Sequence, residues 1–298
     1  MAPISGFFQS NIILIFFVYG LAYFLMGAVI VVESRRTSAL PLAGSLWLLG
    51  IFGLLNGVVG WIDMFMAMPR PTPGPSTSVL FHVIQPLNCF SCHQRLGPVT
   101  ITVWGPEQVL GLIKLFFLIG APTALLLFGA RLLRDTIGRE VHWLRSTPLA
   151  LLGVLGVSAL VGRDLIGEGI EERLVTAGIL ARYVLYVPAS ILAAAALVAQ
   201  RRPLAVMGLP RIARDATWAA FVFGICGILD GLVVPPATFL PASLVNYASF
   251  FALSGVPVQA FRAVVALFIA YFVVRILRIF EIEYRGRLSL ANEERFMA

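Results

Sequence analysis

The chain has 298 residues and a formal net charge of +7; 59 % of its residues are hydrophobic and only 12 % are charged. An ordinary soluble domain carries about 25 % charged residues, so this composition excludes a soluble domain and indicates an integral membrane protein. Most of the basic residues lie in short loops between apolar runs. That placement is typical of a topology signal rather than of a nucleic-acid-binding face.

Seven apolar runs are long enough, or nearly so, to cross about 30 Å of hydrocarbon. We therefore predict an all-α integral membrane protein with about seven transmembrane helices, near residues 11–32, 40–63, 108–132, 147–163, 174–199, 217–235 and 258–279. The fourth run is the shortest. No basic segment or small-residue cleavage site accompanies the first run, so we expect it to be a retained helix rather than a signal peptide.

The loops predict the orientation of the helices, because Lys and Arg residues stay in the cytoplasm during membrane insertion. Loops after odd-numbered helices hold most of the arginines, whereas the opposite loops hold only Arg70, Arg95, Arg163 and Arg173. We expect the N-terminus outside and the C-terminus in the cytoplasm, in a bacterial cytoplasmic membrane. The predicted segments are helices 1 and 2 within 1–63, an extracytoplasmic Pro-rich loop at 64–107, helices 3–7 within 108–280, and a short cytoplasmic tail at 281–298.

The loop at 64–107 contains the sequence Cys89-Phe90-Ser91-Cys92-His93, which has the spacing of a covalent haem attachment site. Two thiols three residues apart can bond to both vinyl groups of one haem, and the adjacent histidine can reach the iron as its proximal ligand. The motif therefore predicts one c-type haem attached to Cys89 and Cys92 and ligated by His93. Its predicted extracytoplasmic position is the side on which bacteria attach such haem.

The same loop allows two other interpretations of the cysteines. Cys89 and Cys92 could form a disulfide, or they could bind zinc with His93 and His82 as a Cys₂His₂ set. His82 is also the first candidate for a sixth haem ligand, ahead of the methionines within 64–68, and a solvated loop histidine is the alternative. A sixth His or Met ligand would close the iron for electron transfer, whereas an open position would favour gas binding.

Five ionisable residues fall within or at the ends of the predicted spans, in the predicted outer half of the membrane: Asp63, Lys114, Arg182, Asp230 and Arg262. Charges at such depth are costly and usually pair or face a cavity. We expect Arg182 to pair with Asp230. The set predicts an outward-facing polar pocket for haem propionates, a quinol headgroup or a small ligand. Structural ion pairs with interfacial snorkelling are the alternative interpretation.

Two stretches of the chain resemble a known family. They contain ESRRTS at 33–38, FGLLNG at 52–57, WIDMF at 61–65, PPATFLPAS at 235–243, GVPVQAFR at 255–262 and RILRIFE at 275–281. These stretches resemble the seven-helix membrane sensor region at the N-terminus of some bacterial histidine kinases. The resemblance covers most of the membrane part and implies a receptor fold, but it implies no binding residues. The chain departs from the family by the inserted loop with the haem motif, and it stops where the kinase would begin.

Three functions remain as hypotheses. The first is a membrane-anchored monohaem c-type cytochrome, an electron-transfer protein or redox-complex subunit that exchanges electrons with a periplasmic carrier or with quinol. The second is a receptor that senses redox state, a gas or a small ligand and signals through a separate histidine kinase. The third is a structural membrane subunit whose cysteines have no redox role. No sequence motif indicates an enzyme reaction.

Overall fold

The computed structural model describes residues 2–36, 43–69, 106–137, 142–161, 169–206 and 208–297, and these residues are almost entirely helical. In chain order the helices are α1 (Ala2–Ser10), α2 (Ile12–Arg36), α3 (Ala43–Ala67), α4 (Pro106–Ile137), α5 (His142–Val161), α6 (Ile170–Ala181), α7 (Val187–Ala199), α8 (Arg201–Val206), α9 (Pro210–Cys226), α10 (Tyr247–Ser254) and α11 (Val258–Met297). A first π-helical turn, Arg182–Tyr186, joins α6 to α7, and a second, Gly227–Leu232, extends α9.

Six helical segments in the described part of the chain are long and apolar enough to cross a membrane: Ile12–Ser34, Gly44–Ala67, Glu107–Ile137, Ile170–Val206, Pro210–Leu232 and Val258–Leu277. They correspond to six of the seven predicted runs, so the structure confirms a helical fold whose long helices are apolar enough to cross a membrane. The predicted run at 147–163 corresponds to α5, His142–Val161, which is not among these six segments. A seventh span, and the orientation of the bundle, stay predictions.

The spanning helices form a closed ring. Helix α2 packs on α3, α3 on α4, α4 on α7, α7 on α9, α9 on α11, and α11 returns to α2. Helix α5 lies outside this ring, against α4, α6 and the first π-helical turn. Large apolar side chains such as Phe116, Leu149 and Ile191 are more than half exposed on the outside of the bundle, as a lipid-facing surface requires.

Glycines let the helices of the ring approach closely. A Cβ atom added to Gly53 of α3 would lie 2.7 Å from the Cα atom of Gly27 on α2. On the other side of the ring, a Cβ atom on Gly231 would lie 2.6 Å from a methyl carbon of Val187. Small residues at such crossings are typical of membrane helices, because packing rather than hydrophobic transfer drives their association.

The two π-helical turns widen the helices at one level of the bundle and contact each other. In the first turn, the Val187 N–H donates to the carbonyl of Arg182, five residues earlier. Pro188 follows and has no N–H to offer to a carbonyl four residues before it, so the helix cannot keep regular α-helical hydrogen bonds there. In the second turn, the Val233 N–H donates to the carbonyl of Ile228 at 3.2 Å. Such turns often occur at functional sites.

The connection from α9 to α11 is held in place by Asn246. Its side-chain oxygen accepts hydrogen bonds from the N–H groups of Ala248 and Ser249 and so caps the start of α10. The N–H group of Tyr247 donates to the carbonyl of Val234 at 3.0 Å. These contacts fix Tyr247 beside the ends of the ring helices.

Candidate binding site at one end of the bundle

A cavity of about 270 Å³ lies at the end of the bundle where α3 and α9 finish and where α4, α6 and α11 begin. We call this the pocket end. Glu107 and Glu171 line the cavity from the first turns of α4 and α6. Leu118 on α4, and Arg182 in the π-helical turn that follows α6, line it about 16 Å further along. The cavity therefore runs from the helix ends into the interior of the ring.

A charged pair joins α3 to α4 at the side of the cavity. The Lys114 ammonium lies 2.6 Å from a carboxylate oxygen of Asp63, and their side chains are 28 % and 16 % exposed. Both residues line the cavity. Because the pair retains access to water, its contribution to stability is on the scale of a surface ion pair, about 0–1 kcal/mol.

A buried polar cluster, made of Asp230, Arg262, Tyr23 and Cys226, lies next to Arg182 at the inner end of the cavity. The Arg262 Nε lies 3.0 Å from the Asp230 Oδ1, and both side chains are 1 % exposed. The Tyr23 hydroxyl donates to Asp230 Oδ2 at 2.6 Å, and the Cys226 thiol lies 3.3 Å from the same oxygen. Helices α2, α9 and α11 therefore meet at one carboxylate. We call these four residues the Asp230 cluster.

The Arg262 guanidinium also binds main-chain carbonyls at the end of the second π-helical turn. Its Nε and Nη2 donate to the Leu229 carbonyl at 3.1 and 2.6 Å, and Nη2 also donates to the Val233 carbonyl at 2.8 Å. A further N–H points at the Tyr247 hydroxyl at 3.4 Å. Carbonyls in the last turn of a helix lack helical donors, so Arg262 satisfies them while it neutralises Asp230.

Arg182 contacts Asp230, but not as the predicted ion pair. Its Nη1 donates to the main-chain carbonyl of Asp230 at 2.7 Å, whereas the Asp230 carboxylate pairs with Arg262. The reason is geometric: Asp230 lies in the π-helical turn at the end of α9, so its carbonyl has no helical donor and faces Arg182. Arg182 is 4 % exposed and lines the cavity.

A second polar contact crosses the ring interior. The Asn56 side-chain amide of α3 donates to the Tyr186 hydroxyl at 2.6 Å, and both residues are buried. The Tyr186 hydroxyl lies 4.0 Å from the Cys226 Sγ. Neither Asn56 nor Tyr186 was predicted as a site residue, nor were Tyr23, Tyr247 or Gln259. All of them could have been found from one feature of the sequence, an uncharged polar side chain inside or beside an apolar run.

Two more polar side chains complete the inner part of the cavity. Gln259, in the first turn of α11, is 6 % exposed and lines the cavity, and its side chain has no hydrogen-bond partner among the described residues. Tyr247 is also in the lining. Burial raises the pKa of the Tyr247 hydroxyl, but the positive charges of Arg182 and Arg262 together outweigh it, so the pKa is lowered from its ordinary value.

The structure thus brings all five predicted pocket residues to one end of the bundle. Asp63, Lys114 and Arg182 line the cavity, and Asp230 and Arg262 lie behind it. The predicted haem residues Cys89, Cys92, His93 and His82 lie outside the described residues. Within the described ranges, no group of three or more His, Cys, Asp or Glu side chains could hold a metal ion.

No protein-family model, curated protein or solved structure matches the chain. The resemblance to the sensor region of histidine kinases therefore stays a prediction. The described residues form a helical bundle whose long helices are apolar enough to cross a membrane, with an internal cavity that has polar and apolar walls.

Proposed function

We propose that this chain is a membrane-anchored monohaem c-type cytochrome, an electron-transfer protein or redox-complex subunit at the periplasmic face of the bacterial inner membrane. The observation that carries the proposal is the Cys89-x-x-Cys92-His93 spacing. This donor set fits haem, because two thiols can form the thioether bonds and the imidazole can ligate the iron. When bound, haem supplies one-electron exchange.

The connectivity of the bundle supports a haem near the cavity. The segment with the motif joins α3 to α4, and Met66 and Glu107 at the ends of these helices both line the cavity. From His93 to the start of α4 the chain has 13 residues by position (106 − 93), which span at most about 45 Å when fully extended. A haem ligated by His93 is therefore tethered within about 45 Å of the start of α4.

The charges at the opposite end of the bundle support the proposed orientation. Arg134, Arg201, Arg202, Arg211 and Arg214 are exposed there, at the end of α4 and in and around the turn from α7 to α9. Arginines so close to spanning helices stay in the cytoplasm. The pocket end and the haem segment would then face the periplasm, where a soluble electron carrier, a quinol or another subunit can approach.

In this proposal each residue of the haem segment and its supports has a separate role. Cys89 and Cys92 hold the haem, His93 is the proximal ligand, and His82 is the candidate for the sixth position. The ion pair of Asp63 with Lys114 ties together the helices from which the haem segment leaves and to which it returns. The bundle acts as an anchor that keeps the redox centre at the membrane surface.

The test is a haem stain of the full chain on a denaturing gel, after co-expression with c-type maturation machinery. We expect stain in the unaltered chain and none after Cys89→Ala or Cys92→Ala. Cys226→Ala is the matched control, because Cys226 is buried in the bundle and should leave the stain unchanged. His82→Ala should alter the reduced-minus-oxidised spectrum if His82 is the sixth ligand. A colourless chain under active maturation would refute the proposal.

A second function, a receptor, is favoured by the shape of α11. This helix begins at the cavity with Gln259 and continues as one helix to Met297, about 60 Å in all. Its segment Val258–Leu277 is long and apolar enough to cross a membrane. A change at the cavity could therefore be passed along a single rigid element to a kinase on the far side.

The receptor and the carrier differ in whether the helices move. Spin labels at Ile137 of α4 and Tyr271 of α11, both exposed, would report the separation of the two helices. A distance distribution that changes between the oxidised and reduced chain would favour the receptor. An unchanged distribution with a stained chain would leave the electron carrier.

A further inference from the structure

The inner end of the cavity has more positive charge than the chain neutralises. Two buried guanidinium groups, of Arg182 and Arg262, lie near one carboxylate, that of Asp230. Both oxygens of this carboxylate already have partners within the Asp230 cluster. Arg182 therefore has no carboxylate of its own among the described residues, and a buried cation without a counter-ion is costly.

Arg182 lines the cavity and also has unused hydrogen-bond donors. A guanidinium group has five N–H donors, and the Asp230 carbonyl is the only acceptor that the described residues give it. Gln259, also more than nine-tenths buried, lines the same cavity with an unpaired carboxamide, and the Tyr247 hydroxyl is beside it. Three polar side chains from α10, α11 and the first π-helical turn thus line one cavity, and no carboxylate of the described residues pairs with Arg182.

We propose that this cavity is a binding site for a compact apolar carboxylate, whose anionic group contacts Arg182 and Gln259. A carboxylate has two acceptor oxygens, and arginine can bind both in a bidentate arrangement. The inference does not depend on the proposed haem, since every residue that carries it belongs to the helical bundle.

The residues that line the cavity determine the size, polarity and charge of the part of the ligand beyond its carboxylate. Apolar side chains of α4 and α6 cover its sides: Leu115, Leu118, Leu174 and Ile179. The volume of about 270 Å³ is near the lower end of the range of about 300–1,000 Å³ for ligand pockets, so it suits one ring or a short chain. Glu107 and Glu171 at the mouth carry negative charges that repel a second carboxylate. The ligand is therefore a monocarboxylate.

The test uses the full chain in lipid nanodiscs, with benzoate as the probe and neutral benzamide as its matched control. We expect saturable benzoate binding in calorimetry, and binding of benzamide at least about tenfold weaker, because a charge-assisted hydrogen bond is worth about 1.5–3 kcal/mol. Arg182→Gln should weaken benzoate binding about 10- to 100-fold by the same estimate. Gln259→Leu should weaken it about 2- to 10-fold.

Arg134→Gln is the control variant, because it makes the same chemical change at an exposed arginine on α4 outside the cavity. It should leave benzoate binding unchanged. If Arg182→Gln does not fold, Arg182→Lys, Gln259→Leu and the comparison of benzoate with benzamide on the unaltered chain decide the question. Equal binding of the two probes, binding indifferent to Arg182, or no saturable binding would overturn the proposal and leave a cavity filled by water alone.

The same experiment separates two sources of the carboxylate. A haem-free Cys89→Ala chain and a haem-loaded chain that bind benzoate equally would indicate a free small molecule. Binding by the haem-free chain alone would indicate that a haem propionate takes the site. Both results support a carboxylate site, and a failed haem stain would refute the proposed cytochrome without affecting either.

Discussion

Replacement of Asp230 by alanine should be one of the most destabilising single changes in the membrane part. The carboxylate neutralises Arg262 at 3.0 Å and accepts the Tyr23 hydroxyl at 2.6 Å, and all three side chains are buried. Without it, the Arg262 cation stays buried without a counter-ion. Removal of one partner from such a pair costs about 3–5 kcal/mol, because the lost attraction and the desolvation of the remaining charge add together.

The expected loss is large enough to measure by thermal unfolding in detergent. At about 2–4 °C per kcal/mol for a large domain, Asp230→Ala should lower the Tm by roughly 6–20 °C. Asp135→Ala is the matched control, since Asp135 pairs with Arg134 at 3.5 Å on an exposed surface. That pair is worth about 0–1 kcal/mol, so its Tm should change by at most about 4 °C. Equal shifts for the two variants would refute the energetic role assigned to Asp230.

A double variant separates charge from packing. Asp230→Leu combined with Arg262→Met removes both charges and keeps most of the buried volume. Apolar replacement of a whole buried pair is often neutral or stabilising, although here the carbonyls of Leu229 and Val233 lose their donors. We expect the double variant to be more stable than Asp230→Ala. A double variant less stable than the single change would show that Arg262 acts chiefly through those carbonyls.

Three further predictions follow from single contacts. Asn56→Leu removes the donor of the buried Tyr186 hydroxyl and should cost about 1–3 kcal/mol in thermal unfolding, and an unchanged Tm would contradict this. Gly53→Ala places a methyl group against the α2 backbone and should cost about 1–3 kcal/mol, whereas Gly153→Ala, in open space on α5, should be neutral or slightly stabilising. Tyr247 should ionise at a lower pH than an ordinary tyrosine, because the arginines stabilise the anion. The folded protein therefore gains stability as the pH rises and Tyr247 ionises. In an ultraviolet pH titration, Tyr247→Phe should remove the earliest tyrosinate signal, and an identical onset in both proteins would count against the assignment.

The helices could be predicted from the sequence because lipid leaves the backbone few alternatives. Every N–H and C=O group in the hydrocarbon must be satisfied within the segment or its neighbours, so a long apolar run predicts a spanning helix almost by itself. Six runs, including those at 11–32 and 258–279, appear as expected. The run at 147–163 forms α5, which lies outside the ring of the six, and hydropathy did not predict that position.

The sequence predicted which charged residues belong to the site, but not how they pair. Asp63, Lys114, Arg182, Asp230 and Arg262 share one end of the bundle, as expected from the cost of charges in a membrane. Their pairing could not be predicted, because it depends on the two π-helical turns. Each turn adds a residue to the helical repeat and rotates the side chains that follow it. No spacing rule for an α-helix anticipates this rotation, so Arg182 faces the Asp230 carbonyl instead of its carboxylate.

The polar residues of the ring interior divide into a satisfied set and an unsatisfied set, and the division bears on function. Asp230 forms an ion pair with Arg262 and accepts a hydrogen bond from Tyr23, so structural stability is enough to explain these three residues. Arg182 and Gln259 are equally buried, yet the described chain leaves most of their hydrogen-bonding capacity unused. Stability alone would favour apolar side chains at such positions, because an unpaired buried polar group costs about 1–3 kcal/mol. The presence of both residues on the wall of one cavity is therefore better explained by a molecule that enters the cavity than by the packing of the helices.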